Sequence, residues 1–210
     1  MSKTKITKIK GDWQEVANDC RTTVGKGELG KEPSKNFKLR LLIAEHSPIR
    51  DIIIKWRWSG IKSWIATHWV RHKWECFVKT QRTDRTGINR DELPQSALVD
   101  FVGEANTQHL IDTWRKRLCR QASTETREYA EDFKVELHEL QPEISDVLVP
   151  NCVYRCGCPE LAPCSFWRDF VKWCAEDRDA IVEMLTIKER YELYNQYFYL
   201  RKDGKINETH

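Results

Sequence analysis

Residues 67–73, Thr-His-Trp-Val-Arg-His-Lys, join an apolar helical pattern to three consecutive cationic or ionisable side chains. Apolar and aromatic side chains in and before this stretch recur at spacings of three and four, which predicts an amphipathic helix over residues 61–73. The positions concerned are Ile61, Trp64, Ile65, His68 and His72. Adjacent helical residues point about 100° apart, so Arg71, His72 and Lys73 suit an extended ligand or two ligands.

These three side chains have two interpretations. An Arg-His-Lys run is costly to bury unless an anion or water accompanies each cation, which favours a bound phosphate or nucleotide. Cations in the last turn of a helix are also stabilised by the helix dipole. A solvated basic helix end therefore explains them as well.

Composition limits the functional classes. A chain of 210 residues predicts one domain, or two small ones. Its 35 Lys and Arg against 32 Asp and Glu give a net charge of +3, too small for bulk nucleic-acid binding. The sequence contains no apolar run of membrane-spanning length, and its start lacks the apolar stretch of a secretory signal, so we expect a cytoplasmic chain with no membrane partner. The eight cysteines should then be reduced or metal-bound.

The segments before residue 61 predict short elements. Residues 4–9 alternate as in a strand, Asp12 opens a helix, and residues 24–36 have loop composition. Phe37 to Glu45 predicts a helix that stops before Pro48. Ile52 to Trp58 alternates most clearly and predicts a strand.

The segments after residue 83 predict helices. Asp84 to Glu92 is polar and predicts a loop, after which Leu93-Pro94 can begin a long helix running to about Arg120. A helix from Thr126 to Leu140 follows, capped by residues 123–125. A last helix is predicted from about Ser165 to Leu200, with an interruption near Thr186.

Four cysteines between the last two helices form a candidate zinc set. Cys152, Cys156, Cys158 and Cys164 are separated by three, one and five residues, compact enough for tetrahedral zinc. The spacing differs from the paired two-residue spacing of common zinc motifs, which favours reduced thiols without a metal.

Several ordered anchors resemble the flavin-dependent thymidylate synthases, the ThyX family. Arg71-His72-Lys73 followed by Thr80 and Arg82 is similar to its signature, an Arg-His-Arg with a Ser and an Arg shortly after. The resemblance extends over about residues 13–140. The other anchors are Arg21-Thr22-Thr23, His46-Ser47-Pro48, Arg90 with Leu93-Pro94, and the series Asn106, Leu110, Arg117, Leu118, Ala122, Glu125 and Arg127.

The resemblance implies an α+β fold, with a small antiparallel sheet packed with long helices and an extra helical C-terminal extension. Residues 1–140 would form a ThyX-like catalytic domain, with a deletion near 84–89 where the family has a helical hairpin. Residues 141–210 would be a Cys-containing segment with C-terminal helices packed on the same domain.

The resemblance also implies an activity, the reductive methylation of dUMP to dTMP with methylene tetrahydrofolate and NAD(P)H, using FAD in a homotetramer whose sites join different subunits. Arg117 and His46 would be catalytic. Substrate contacts would come from His68, Thr80, Arg82, Arg90 and Arg117. Cofactor contacts would come from His46, Arg71, His72, Lys73, Asn106, Gln108 and Asp112.

Each of these residues also has a purely structural interpretation. Arg117 could pair with Glu125 or Asp112 on the helix surface, a contact worth under about 1 kcal/mol. His46 could bond its own backbone in a turn, and Asn106 could be a surface amide. The nine tryptophans are more often core residues than stacking platforms.

Two further functions remain open at the level of sequence. Lys73, Gln108 and Asp112 differ from the family's Arg, Arg and Asn, which favours a related pyrimidine-nucleotide enzyme with a changed cofactor or product, for example one that hydroxymethylates. A zinc-stabilised nucleic-acid-binding module could use the basic stretch 71–90 and the cysteines, but the small net charge argues against it.

Overall fold

A four-stranded antiparallel sheet organises the computed structural model, which describes residues 3–206. The strands are β1 (Thr4–Lys10), β2 (Ile53–Lys62), β3 (Glu75–Val78) and β4 (Leu98–Asn106), in the order β1-β2-β4-β3. Helices pack around this sheet, so the predicted α+β class with a small antiparallel sheet is confirmed.

The helices of the described chain follow in sequence order. They are α1 (Trp13–Thr22), α2 (Lys35–Ile43), α3 (Ser63–Trp69), α4 (Thr83–Thr86), α5 (Thr107–Arg117), α6 (Thr124–Leu140), α7 (Pro142–Asp146), α8 (Asn151–Arg155), α9 (Phe166–Arg178) and α10 (Ile187–Lys202). Single 3-10 turns cover Ser47–Asp51, Arg90–Glu92 and Val182–Met184. No described helix is both long and apolar enough to cross a bilayer.

The alternation of β2 places its large side chains in the core. Ile54, Trp56 and Trp58 are fully buried on one face, as their spacing of two predicts. Trp56 lies opposite Gly103 of β4, and a Cβ at Gly103 would stand 2.6 Å from Cε2 of Trp56. The glycine therefore makes room for an indole ring in the middle of the sheet.

The buried indoles form one aromatic cluster between the sheet and two helices. Trp114 of α5 lies 4.3 Å from Phe133 of α6 and 6.1 Å from Trp56, measured between ring centroids. Its Nε1 donates to the carbonyl of Ala130 at 2.9 Å, so burying this indole leaves no unpaired donor. These rings are core residues, which agrees with the structural interpretation of the tryptophans.

The C-terminal segment, residues 141–206, packs on the same hydrophobic core as the rest of the described chain. The fully buried Lys134 of α6 donates to the carbonyl of Ser145 at 2.5 Å, and the Ser145 hydroxyl donates to the carbonyl of Lys134 at 2.8 Å. Asn195 of α10 donates to the carbonyl of Asp146. The boundary at residue 140 stays a prediction.

One predicted element is wrong. The long helix expected from Leu93-Pro94 does not form: residues 98–106 are strand β4, and between Leu93 and Arg120 only α5 is helical. Val99, Phe101 and Ala105 alternate towards the core with Gly103 between them, so tertiary pairing overrides the helix-start signal of the Leu-Pro pair.

Other predicted boundaries are partly correct. The helix expected over 61–73 is limited to Ser63–Trp69, because Ile61 belongs to β2 and residues 70–73 form a turn. The helix expected from Phe37 to Glu45 begins at Lys35, two residues earlier, and ends at Ile43. The expected loop 84–92 contains most of α4 and a 3-10 turn, and strand β3 was not predicted. The interruption near Thr186 is confirmed by a capping box between Thr186 and Glu189 that begins α10.

We predict that Gly103→Ala destabilises the protein by about 1–3 kcal/mol, the usual cost of overpacking a dense core. The added methyl would collide with the rigid indole of Trp56. Urea denaturation measures the free energy of unfolding. The matched variant Gly30→Ala, where nothing lies within 4 Å of the new Cβ, should unfold close to the wild type. Equal losses in the two variants would contradict this account.

Candidate functional site

A cavity of about 390 Å³ lies between the turn after α3, helix α5 and the short helix α8. Its volume falls within the usual range for small-ligand sites. We call it the cationic cavity, because most of its charged lining is basic. It is lined by Arg71, His72, Lys73, His109, Asp112, Thr113, Arg115, Lys116, Asn151, Tyr154 and Arg155.

A buried indole and a half-buried one hold the turn that carries residues 71–73. Trp69 ends α3 and is fully buried, and Trp74 stacks on it with ring centroids 6.0 Å apart. Nε1 of Trp74 also donates to the carbonyl of Trp69 at 3.0 Å. The chain between these two rings therefore has little freedom, and the three predicted ligand-binding side chains are presented together at the cavity.

Most cations of the cationic cavity have no acidic partner in the described part of the chain. Arg115 is paired, since it contacts Glu45 and lies 3.6 Å from Asp112. Among residues 3–206, by contrast, no carboxylate lies within ion-pair distance of four other lining cations. These are Arg71, Lys73, Lys116 and Arg155. Such an excess of positive charge around one cavity favours an anionic ligand.

Arg117, the predicted catalytic residue, lies beside this cavity. Its Nε donates to Nε2 of His72 at 2.8 Å and its Nη2 donates to the carbonyl of His68 at 2.5 Å. Its guanidinium carbon stands 5.7 Å from the Trp69 ring centroid. Burial, and then the charge of Arg71, holds the pKa of Arg117 below its usual range. The surface pairing with Glu125 or Asp112 is not what the structure shows.

His72 and His68 are kept neutral by their surroundings. Burial first, then Arg117 and Lys116, lowers the pKa of His72 from 6.5 to about 4. A neutral ring is what the contact requires, because its Nε2 accepts a hydrogen bond from Arg117. Burial, followed by Arg117 and Arg71, also lowers the pKa of His68, whose Nδ1 lies 2.8 Å from the Thr126 hydroxyl.

Some of the other predicted cofactor residues lie near the cationic cavity. Asn106 lines an adjoining cavity of about 510 Å³ together with His72, Lys73 and His109, and its side chain caps α5 by accepting from the backbone N–H of His109. Gln108 donates to Glu45 at 2.5 Å and to Asp112 at 3.3 Å. His46 is exposed and precedes a 3-10 turn.

The predicted substrate residues on the loop after β3 lie apart from the cationic cavity. Arg82 forms a two-point contact with Asp84, at 2.9 and 2.6 Å, and Thr80 accepts from the backbone N–H of Arg82. Arg82, Arg90 and Arg117 line neither the cationic cavity nor the apolar cavity of about 330 Å³ beneath Trp64. The cavities described for residues 3–206 therefore do not join these three guanidinium groups, and a site shared between subunits stays a prediction.

Sequence reasoning missed most of two walls. His109, Thr113 and Lys116 lie on one face of α5, and their spacing of four and three could have shown this. Nothing in the sequence pointed to Asn151, Tyr154 and Arg155, because α8 is brought to the cavity by contacts with distant α10.

The zinc set is not assembled in the described part of the chain. Within residues 3–206, no three His, Cys, Asp or Glu side chains are arranged to hold a metal ion, and the Cys156 thiol faces the Val182 carbonyl at 3.8 Å. Burial, and then the thiols of Cys119, Cys158 and Cys164, raises the pKa of Cys152. Cys119 is thus near this group although the sequence did not indicate it. Zinc binding stays a prediction.

We predict that His72 titrates near pH 4 and that Arg117→Gln raises this pKa, because a neighbouring cation is removed while burial remains. The midpoint should stay below 6.5. Histidine NMR resonances followed between pH 3 and 8 measure it, and the remote variant Arg85→Gln should leave it unchanged. A His72 midpoint that ignores the loss of Arg117 would contradict the contact.

The same shift has a consequence for stability. The folded protein holds His72 neutral, whereas the unfolded chain binds a proton below about pH 6.5. Because of His72, the free energy of unfolding therefore decreases as the pH drops from about 6.5 to about 4.

Comparisons with known proteins give one kind of match. No protein-family model matches the sequence, and neither does any curated protein. Among solved structures, the chain is similar to a UMP/dUMP methylase, PolB from Streptomyces cacaoi, bound with 5-Br dUMP (TM-score 0.56) and with 5-Br UMP (TM-score 0.53). Both matches have 13% sequence identity, and both cover 69% of this chain and over nine-tenths of that chain, 93% and 92%. The chain therefore has the ThyX-like fold of this methylase.

Proposed function

We propose that this protein binds a pyrimidine nucleoside monophosphate and modifies its ring. Two observations support the proposal. The fold is shared with a methylase that binds brominated UMP and dUMP, and the cationic cavity lies beside the Arg-His-Lys turn that the sequence singled out. A fold alone does not determine function, so the cavity carries the argument.

The observation that carries the proposal is the excess of positive charge. Four lining cations have no carboxylate partner among residues 3–206. Burial first, and then neighbouring cations, lower the pKa of His72 and of Arg117. A phosphate monoester carries close to two negative charges and several acceptor oxygens, so it satisfies several of these donors at once. A neutral or cationic ligand would leave the repulsion unrelieved.

Arg117 is the residue we assign to activation of the ring. Modification at carbon five requires electron density at that carbon, and a cation beside the pyrimidine oxygens stabilises the negative charge that develops. His72 and the His68 carbonyl hold this guanidinium in one orientation. Neutral His72 accepts from Arg117 without adding a competing positive charge to the site.

Within this broad class of reaction, the specific activity we propose is reductive methylation of dUMP with methylene tetrahydrofolate and NAD(P)H. A bound flavin would supply hydride transfer. The cations of the turn fit the phosphates of FAD, and Arg71, His72, Lys73 and Asn106 are the residues that would hold it. Oε1 of Gln108, at the predicted flavin side, is buried with no hydrogen-bond partner in the described chain.

A second candidate has a specific observation in its favour. The amide nitrogen of Gln108 is engaged by Glu45 and Asp112, and Asp112 brings a negative charge to the cavity wall. These contacts favour a related enzyme with a changed cofactor or product, such as a hydroxymethylated pyrimidine. A yellow protein that bleaches with reduced nicotinamide favours the flavin enzyme, and a colourless one that binds dUMP favours the second.

The separation of Arg82 and Arg90 from the cationic cavity bears on assembly. If these two residues bind substrate, a site in another protomer accounts for their absence from the lining of this cavity. We therefore include the homotetramer in the proposal, and sedimentation of the purified protein with and without dUMP tests it.

We predict that the purified protein converts dUMP, deuterated at carbon five, when it is supplied with methylene tetrahydrofolate and a reductant. Mass spectrometry of the pyrimidine distinguishes a methyl from a hydroxymethyl product. Arg117→Gln should lower turnover about a hundredfold, as expected for losing a charge-stabilising donor. Arg168→Gln, which removes an exposed arginine of α9, should retain activity. Full turnover by the Arg117 variant would overturn its assigned role, and unchanged dUMP with every folate tested would overturn the proposed activity.

A further inference from the structure

The C-terminal segment supplies a wall of the cationic cavity. Asn151, Tyr154 and Arg155 all lie on α8, which follows the predicted ThyX-like region. Within the described chain, Arg155 is the lining cation that this segment adds. The rest of the lining comes from residues 71–116, so the cavity is bounded by two parts of the chain that are distant in sequence.

Helix α8 is held at the cavity by a buried arginine of α10. Arg190 is 6% exposed, and its Nε and Nη2 donate to the carbonyls of Val153 at 2.6 Å and Tyr154 at 3.1 Å. These carbonyls lie in the last turn of α8, where helical partners are missing. A buried guanidinium that satisfies backbone carbonyls fixes the position of the short helix, which has too few residues to be stable alone.

A second contact orients α8 towards α5. The guanidinium carbon of Arg115 lies 3.5 Å from the ring centroid of Tyr154, a close stacking contact. Arg115 is itself held by Glu45. Two walls of the cavity are therefore joined by a tyrosine and an arginine whose charge is already neutralised, and this pair is not available to a phosphate.

Arg155 has free donor capacity at the end of this fixed helix. Its Nε donates to Oδ1 of Asn151 at 3.1 Å, which sets the plane of the guanidinium. Neither Nη1 nor Nη2 has an acceptor among residues 3–206, and no carboxylate there pairs with it. The helix ends directly afterwards, because Cys156 adopts a left-handed conformation at φ 54°.

We propose that Arg155 is a phosphate-binding residue, and that α8 completes with it a nucleotide site that the turn 71–73 and α5 only begin. The inference rests on the proposed function in taking the ligand to be a nucleotide. Its chemistry is that of a phosphate ester held by the two Nη groups of Arg155 together with the unpaired cations of the other walls. The phosphate could belong to the substrate or to a cofactor, and the experiment separates these sources.

The test uses the full-length protein and three probes, namely dUMP, FAD and inorganic pyrophosphate, with binding followed by calorimetry. Arg155→Gln should weaken binding of the ligand whose phosphate it contacts by about tenfold, as expected for losing a charge-assisted hydrogen bond. Arg155→Lys should lie between, because it keeps the charge and loses the planar fork. Arg168→Gln removes the same charge from the same segment outside the cavity, so its affinities should match the wild type. A thermal melt of each variant confirms folding.

The outcomes separate the inference from the proposed function. Weakened dUMP binding assigns Arg155 to substrate, and weakened FAD binding with normal dUMP binding assigns it to a cofactor. Weakened pyrophosphate binding supports the phosphate role even if dUMP is never converted. Unchanged affinity of Arg155→Gln for every probe that the wild type binds overturns the inference, although dUMP turnover would still uphold the function. A wild type that binds none of the three overturns both.

Discussion

The site depends on the packing of indole rings beneath it. Trp69 and Trp74 stack on each other, and both contact Trp114, with centroids 5.5 and 5.9 Å away. The first two flank the Arg-His-Lys turn and the third belongs to α5. The rings therefore fix the separation of two walls whose charges repel each other. On flexible loops these cations would move apart, whereas a close-packed core resists that displacement.

Holding such charges together costs free energy that the apo fold must offset. The depressed pKa values of His68, His72 and Arg117 show the direction of that cost, since burial and mutual repulsion oppose each added positive charge. Burial of Trp69 and Trp114 opposes it through apolar area removed from water. Local destabilisation of this kind is expected at functional sites, where residues are arranged for a ligand and not for the free protein.

The sequence predicted the elements whose signals are local. Strand β2 followed from alternation, the starts of α1 and α6 followed from capping residues Asp12 and Ser123, and the break before α10 was expected near Thr186. Strand β4 was missed because Gly103 and Ala105 are small, so its buried face does not read as a run of large apolar residues. Only the indole of Trp56 on the neighbouring strand explains the glycine, and that pairing is tertiary.

The residues of the candidate site also divide into those with a local sequence signal and those placed by tertiary contacts. Arg71, His72 and Lys73 were predicted because they are contiguous, and the structure places all three at one cavity. Lys116 could have been found from its helical spacing. Arg155 could not, since its place depends on Arg190, 35 residues further along the chain, and on the stacking of Tyr154 over Arg115.

The departures from the ThyX pattern acquire a physical meaning in this arrangement. Gln108 and Asp112 stand one turn apart on α5, and both take part in the network that joins Glu45 to Arg115. The acids there balance Arg115, so that part of the wall attracts an anion weakly. The uncompensated charge comes instead from Arg71 and Lys73 on the turn, Lys116 on α5 and Arg155 on α8. A ligand's negative charge is therefore drawn to the region where these three elements meet, and the C-terminal segment takes part in binding because it supplies one of them.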